Sequence, residues 1–87
     1  MDIRQLKQVV AVADAGSIQA ASERLFLSRP ALSKSLSRLE KELGGELFCR
    51  NAAGVALTAE GARLLPKIRA AVEAFEAVEQ EAAHTGN

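Results

Sequence analysis

Ser33, Lys34, Ser37, Arg38 and Lys41 recur at steps of three and four within the stretch Ser28–Leu43, SRPALSKSLSRLEKEL. On an α-helix that spacing sets them on sides away from Leu32, Leu36, Leu39 and Leu43, which repeat at four, three and four and share one apolar stripe. The exposed side is then short hydroxyls and long cations, with no aromatic and no apolar residue beyond Ala31. Such a face suits phosphates and base edges in a DNA major groove. A solvated amphipathic helix has the same pattern, so the flanking segments must bear on the choice. Ser28 is placed to cap the helix, with Arg29 the alternative because it precedes a proline. Pro30 fits a first turn, and Gly44 ends the helix in a left-handed position.

Other chemistry finds little support. The one histidine, His84, lies in the last four residues, and the one cysteine, Cys49, has no basic neighbour beyond Arg50. A thiol so placed reads as inert. The carboxylates are scattered over helix surfaces, with no glycine-rich phosphate loop and no metal-ligand spacing. No catalytic, metal or cofactor residue is expected, and the chain does not read as an enzyme.

The elements that must hold the cationic helix follow from the rest of the 87 residues. That length makes one small domain with a thin core. A single cysteine forms no internal disulfide and points to a reducing cytoplasm. No signal peptide is evident, and no apolar run approaches the ~18 residues of a membrane span. Net charge is zero, but it is unevenly spread. Residues 1–72 hold all eleven Lys and Arg against seven acids, +4, while residues 73–87 hold four Glu and no Lys or Arg, −4.

Asp2–Ala15 reads as a first helix with Ile3, Leu6, Val10 and Ala13 on its inner face and Val9 beside it. Arg4, Gln5, Lys7 and Gln8 form its wet side, Asp2 caps it, and Gly16 stops it. Ser17 caps a second helix, Ile18–Leu25, with Ile18, Ala21 and Leu25 inward. Phe26 and Leu27 make a short apolar turn into the cationic helix. Two short helices joined by about three or four residues make a helix-turn-helix pattern, or else a plain α-hairpin in a bundle. Glu46–Arg50 and Val55–Thr58 read as a two-stranded wing around the loop Asn51–Gly54, with Leu47, Phe48 and Leu57 as core anchors. Arg50, the wing's only cation, reads as a DNA-backbone contact or as a solvated hairpin charge. Thr58 caps a long last helix from Ala59 to about Ala83. In it Leu64, Ile68, Ala71, Phe75, Val78 and Ala82 step as a heptad seam widened by Leu65 and Val72. The positions beyond Pro66 are expected to lack cover within the chain and to need a partner, most simply a second copy. Pro66 is expected to kink the helix near Ala62–Pro66.

These residues resemble the N-terminal DNA-binding domain and linker helix of LysR-type transcriptional regulators. The matching pieces run in order without gaps over about residues 1–65. They are Leu6 with Val9–Ala13, Gly16-Ser17-Ile18, Ala20-Ala21, Leu25, Ser28 with Pro30–Ser33, Leu39-Glu40, Leu43-Gly44, Leu47-Phe48, Arg50, and Leu57-Thr58 with Gly61. The run LSRPALSKSLSRLEKELGGELFCR is the most specific of them.

The resemblance implies a mainly α fold. A winged helix-turn-helix of three helices and a two-stranded β wing (residues 1–58) precedes a long dimerisation helix (59–83) and a tail (84–87). It implies a homodimer on antiparallel linker helices, tetramers in full-length proteins, and an inverted-repeat operator in double-stranded DNA. Arg29, Pro30, Ser33 and Lys34 match the positions that meet base edges, with Ser28, Ser37, Arg38 and Arg50 around them. Leu64, Ile68, Ala71, Val72, Phe75 and Val78 are the expected dimer interface. Arg29 departs from the glutamine frequent in the family and favours guanine or a phosphate instead. Ala52 and Ala53 leave the wing poorer in arginine than many relatives. The family's inducer-binding C-terminal domain is absent from these residues, so a small-molecule inducer would act only through a part not present. The competing expectation, from the last helix alone, is a helical oligomerisation module that binds no nucleic acid.

Overall fold

The structure, a computed structural model, describes residues 1–85. Its elements are α1 (Ile3–Ala15), α2 (Ile18–Leu25), α3 (Arg29–Leu43), β1 (Phe48–Asn51), β2 (Gly54–Leu57) and α4 (Ala59–Thr85). Each helix starts where a short polar side chain meets its first unpaired N–H groups. Asp2 and Gln5 form a reciprocal capping box on α1, and Ser17 Oγ accepts from Ala20 N at 3.1 Å. Ser28 Oγ accepts from Ala31 N at 3.1 Å, which makes Ser28 rather than Arg29 the cap of α3. Thr58 Oγ1 accepts from Gly61 N at 3.0 Å at the head of α4.

The core gathers around α1. Val9 and Val12 are buried there, with Ala21 from α2, Leu32, Leu36 and Leu39 from α3, Leu47 before β1, and Ile68 from α4. The inner face expected of α1 is therefore corrected. Ile3, Leu6, Val10 and Ala13 are only partly buried, and Val9 and Val12 form its centre. The reason is that α1 packs on two sides, against α2 and α3 on one and α4 on the other. Its wet side shrinks accordingly: Lys7 Nζ lies 5.1 Å from the Phe75 ring centroid, and Gln8 accepts a hydrogen bond from Ser35 of α3.

The hairpin is tighter than expected. Asn51 pairs with Gly54 and Phe48 with Leu57, which leaves a turn of only Ala52 and Ala53. Asn51 Oδ1 accepts from Ala53 N at 2.9 Å and closes it. Gly54 has φ +132, and a Cβ there would stand 2.3 Å from the Gly16 carbonyl oxygen, so only glycine allows this approach. Val55 N donates to the same oxygen at 3.0 Å, pinning the wing to the α1–α2 turn. Of the expected wing anchors Leu47 is buried and Phe48 half-buried, but Leu57 is exposed at 40 %.

α4 runs back along α1. Asp14 meets Arg69 at 2.7 Å near one end of the pair and Lys7 meets Glu79 at 3.8 Å near the other. Ile68 and Val72 are each 7 % exposed, covered within the chain. The expectation that every seam position past Pro66 lacks such cover is thus corrected for these two: they pack on the α1 side of the helix. The helix is continuous through Pro66. Proline removes one N–H, and the Ala62 carbonyl that would have accepted it belongs to an exposed residue, where water can serve. α4 also includes His84 and Thr85, expected in the tail; Gly86 and Asn87 lie outside the described residues.

Candidate nucleic-acid interface

Three turns of α3 and the turn end of the wing make the polar face. Leu32, Leu36 and Leu39 anchor α3 at 0–4 % exposure, and this fixes which residues look outward. Ser28, Arg29, Pro30, Lys34, Ser37 and Arg38 are exposed, and Ser33 is half-buried. They do not form a single cluster. Arg29, Pro30 and Ser33 line a groove closed by Gln19 of α2 and by Arg50 and Asn51 of the wing. Arg38 lines a second groove toward α1, with Arg4, Lys7 and Gln8. Lys34, one helical turn before Arg38, shares its side of the helix. Ser37 stands beside Lys41 and Gly44, at the C-terminal end of α3.

Arg50 is the residue whose placement differs most from a simple wing cation. It points back to the helix, and its Nη2 donates to Ser33 Oγ at 2.8 Å. Gln19, Arg4 and Asn51 also border the grooves, and sequence reasoning did not single them out. Nothing in their local pattern separates them from ordinary solvated side chains.

Glu40 is a further residue whose role sequence reasoning did not assign. Its Oε2 accepts from Leu47 N at 2.6 Å and from Phe48 N at 3.4 Å. The carboxylate thereby ties the C-terminal half of α3 to the start of β1. Thr58 N donates to the Leu47 carbonyl at 3.0 Å. A Cβ on Gly61 would lie 2.0 Å from that same oxygen. These contacts hold the wing, α3 and the first turn of α4 as one unit, so α3 and Arg50 have fixed relative positions.

The arrangement offers cations and hydroxyls on a rigid convex helix, with grooves to either side. Among the described residues no group of His, Cys, Asp or Glu could hold a metal ion. Cys49 is exposed on β1.

Comparison with known proteins agrees with this geometry. Residues 3–62 match the model for bacterial regulatory helix-turn-helix proteins of the lysR family. The chain is 46 % identical over 69 residues to the HTH-type transcriptional regulator TfdT of Cupriavidus pinatubonensis, covering 79 % of this chain and 30 % of that one. Its structure is similar to that of the CbnR DNA-binding domain in complex with DNA, with a TM-score of 0.88, 34 % identity and 100 % of each chain covered. It is also similar to the BenM DNA-binding domain on benA site 1 DNA, with a TM-score of 0.81, 30 % identity, and 99 % of this chain and 96 % of that one covered. The chain spans less than a third of the length of the curated relatives it matches.

Proposed function

We infer the function from one premise, that the chain belongs to the LysR family of bacterial regulatory helix-turn-helix proteins. On that premise it is the DNA-binding part of a transcriptional regulator. It binds double-stranded DNA as a homodimer, with α3 in the major groove and the wing beside the backbone. Arg29, Pro30, Ser33 and Lys34 are the residues we assign to base edges; Ser28, Ser37, Arg38 and Arg50 border them. The two recognition helices of a symmetric dimer would read an inverted repeat, with half-sites about one helical turn or a multiple apart. No described helix is long and apolar enough to cross a membrane, and we place the regulator in the cytoplasm, where its DNA is.

The observation that carries this reading is the exposed N-terminal half of α3, with Arg29 and Ser33 facing Arg50 across one groove. A purely oligomeric helical module leaves Arg29, Ser33, Lys34 and Arg38 without a task. A salt titration of duplex binding tests the choice. Neutralising about four to six phosphates per dimer gives a log K against log salt slope of about −4 to −5. A flat dependence, or no binding to any duplex at about 50 mM salt, would favour the oligomerisation module.

A further inference from the structure

The contact between wing and recognition helix has a fixed polarity. A guanidinium has five N–H donors, no acceptor, and does not deprotonate. A serine hydroxyl has one proton to give and two lone pairs to receive with. In the 2.8 Å bond between Arg50 Nη2 and Ser33 Oγ the arginine must therefore donate and the serine accept. Among the described residues it is the only hydrogen bond of the Ser33 side chain. One lone pair of Ser33 is occupied, and its proton is left to donate elsewhere.

The arginine is well held for this role. Arg50 pairs with Val55 across the hairpin, and Val55 N is bound to the Gly16 carbonyl. The wing strand cannot slide along α3 without breaking that link. Ser33 sits one helical turn after Arg29, on the same groove.

We propose that Arg50 is a positioning residue for base recognition, which occupies one lone pair of Ser33 and biases its hydroxyl toward donating to the base. An uncommitted serine hydroxyl meets a donor or an acceptor equally well and discriminates little. Held by Arg50, it meets acceptors: thymine O4, adenine N7, and guanine O6 or N7. The amino groups of cytosine N4 and adenine N6 would face an oxygen already engaged by a cation, and are disfavoured. The wing thus sets which base edges α3 accepts, without itself entering the groove. This rests on the DNA-binding reading above.

The test is a base-by-base binding profile of the full chain on randomised duplexes, for wild type, Ser33→Ala, Arg50→Ala, Arg50→Lys and the Ser33→Ala/Arg50→Ala double variant. Both positions lie outside the core, and thermal melts check that each variant folds. We expect Ser33→Ala to weaken the preference at one base pair per half-site by about three- to tenfold, the worth of one hydrogen bond. Arg50→Ala should weaken it at that same base pair, and the double variant should weaken it no further. Arg50→Lys, still a donor only, should recover part of it. If Arg50→Ala lowers every sequence alike and leaves the profile's shape intact, Arg50 is a phosphate contact and the proposal fails. It fails equally if the two single variants alter different base pairs, or if Ser33→Ala alters none. A wild-type chain that selects no sequence overturns the DNA-binding reading itself, and this proposal with it.

Discussion

Phe26 ends α2 with φ 56 and ψ 40, a left-handed backbone that a bulky side chain pays for, and the residue is 94 % exposed. The burial that could offset the strain is absent within the chain. Asparagine tolerates this region far better. Phe26→Asn should therefore raise stability by about 1 kcal/mol, seen as a higher urea midpoint at unchanged m-value; a lower midpoint would show that the ring contributes packing. Leu36 is the opposite case, 4 % exposed in the middle of the α3 stripe. Leu36→Ala should cost about 2–5 kcal/mol, whereas exposed Ser37→Ala should cost little. Equal shifts for the two would mean that α3 is rotated. The phase of α3 was legible because its leucines and its polar residues alternate within one continuous stretch. Contacts between stretches were not. Nothing local says that Arg50 reaches Ser33, 17 positions away, or that Glu40 reaches Leu47 N. Both depend on where the hairpin sits against the helices, and the Gly16–Val55 bond and the closeness of Gly54 to Gly16, which help place it, join residues far apart in sequence.

At the scale of elements, α1 shows how periodicity can identify a helix and still miss its centre. A helix buried on one side has one apolar stripe, and Ile3, Leu6, Val10 and Ala13 mimic one. A helix buried on two sides has its deepest residues where the two contacts meet, here Val9 and Val12. The second contact, with α4, is fastened at Asp14. An acid in the last turn of a helix opposes the dipole, and Arg69 compensates by donating to both carboxylate oxygens, at 2.7 and 3.4 Å. That hydrogen bond, helped by the charges of Arg69 and Arg24 and opposed by desolvation, holds the Asp14 carboxyl below its ordinary value. A carboxyl lowered on folding stabilises fully above its unfolded value, about 3.9, and loses that contribution as pH falls through the lower folded value. The melting temperatures of wild type and Asp14→Ala should differ by a constant amount above about pH 5 and draw together only as pH falls from about 4 through the lower folded value. The pair is exposed enough for salt to narrow the gap as well. A gap that persists at low pH would mean that Asp14 acts through packing alone.

For the molecule as a whole, the question is what covers the outer side of α4. The body measures 48 × 26 × 20 Å, and the 27 residues of α4 span about 40 Å at 1.5 Å each, so the helix accounts for most of the long dimension. Ile68 and Val72 are mostly covered within the chain, although Ile68 still borders the apolar groove between α4 and α1. What remains is a series at steps of seven: Leu64, Ala71 and Val78. Leu64 and Ala71 line that groove with Met1, Leu6 and Leu43, and Val78 is 68 % exposed. Phe75, 38 % exposed, lies at the edge, with Lys7 over its ring. A heptad series bordering an apolar groove suits the same helix from a second copy. An antiparallel pairing would bring the Glu-rich segment past residue 72 of one copy against the more basic first half of the other's α4, where Arg63, Lys67 and Arg69 lie. Charge complementarity then favours the antiparallel pairing over the parallel one, which would set four glutamates against four. Ala71→Asp with Val78→Asp should give a monomer by sedimentation that still unfolds cooperatively, since both side chains are exposed. Its affinity for an inverted repeat should fall about a hundredfold or more, because each copy then holds one half-site without the other. Binding to an isolated half-site should hardly change. Ile68→Asp makes the control: it buries a charge inside the protomer and should unfold it rather than merely separate two copies. If the double variant sediments as an intact dimer, the copies meet elsewhere. If Ile68→Asp gives a folded monomer, the side of α4 that we place against α1 is instead the side that meets the partner.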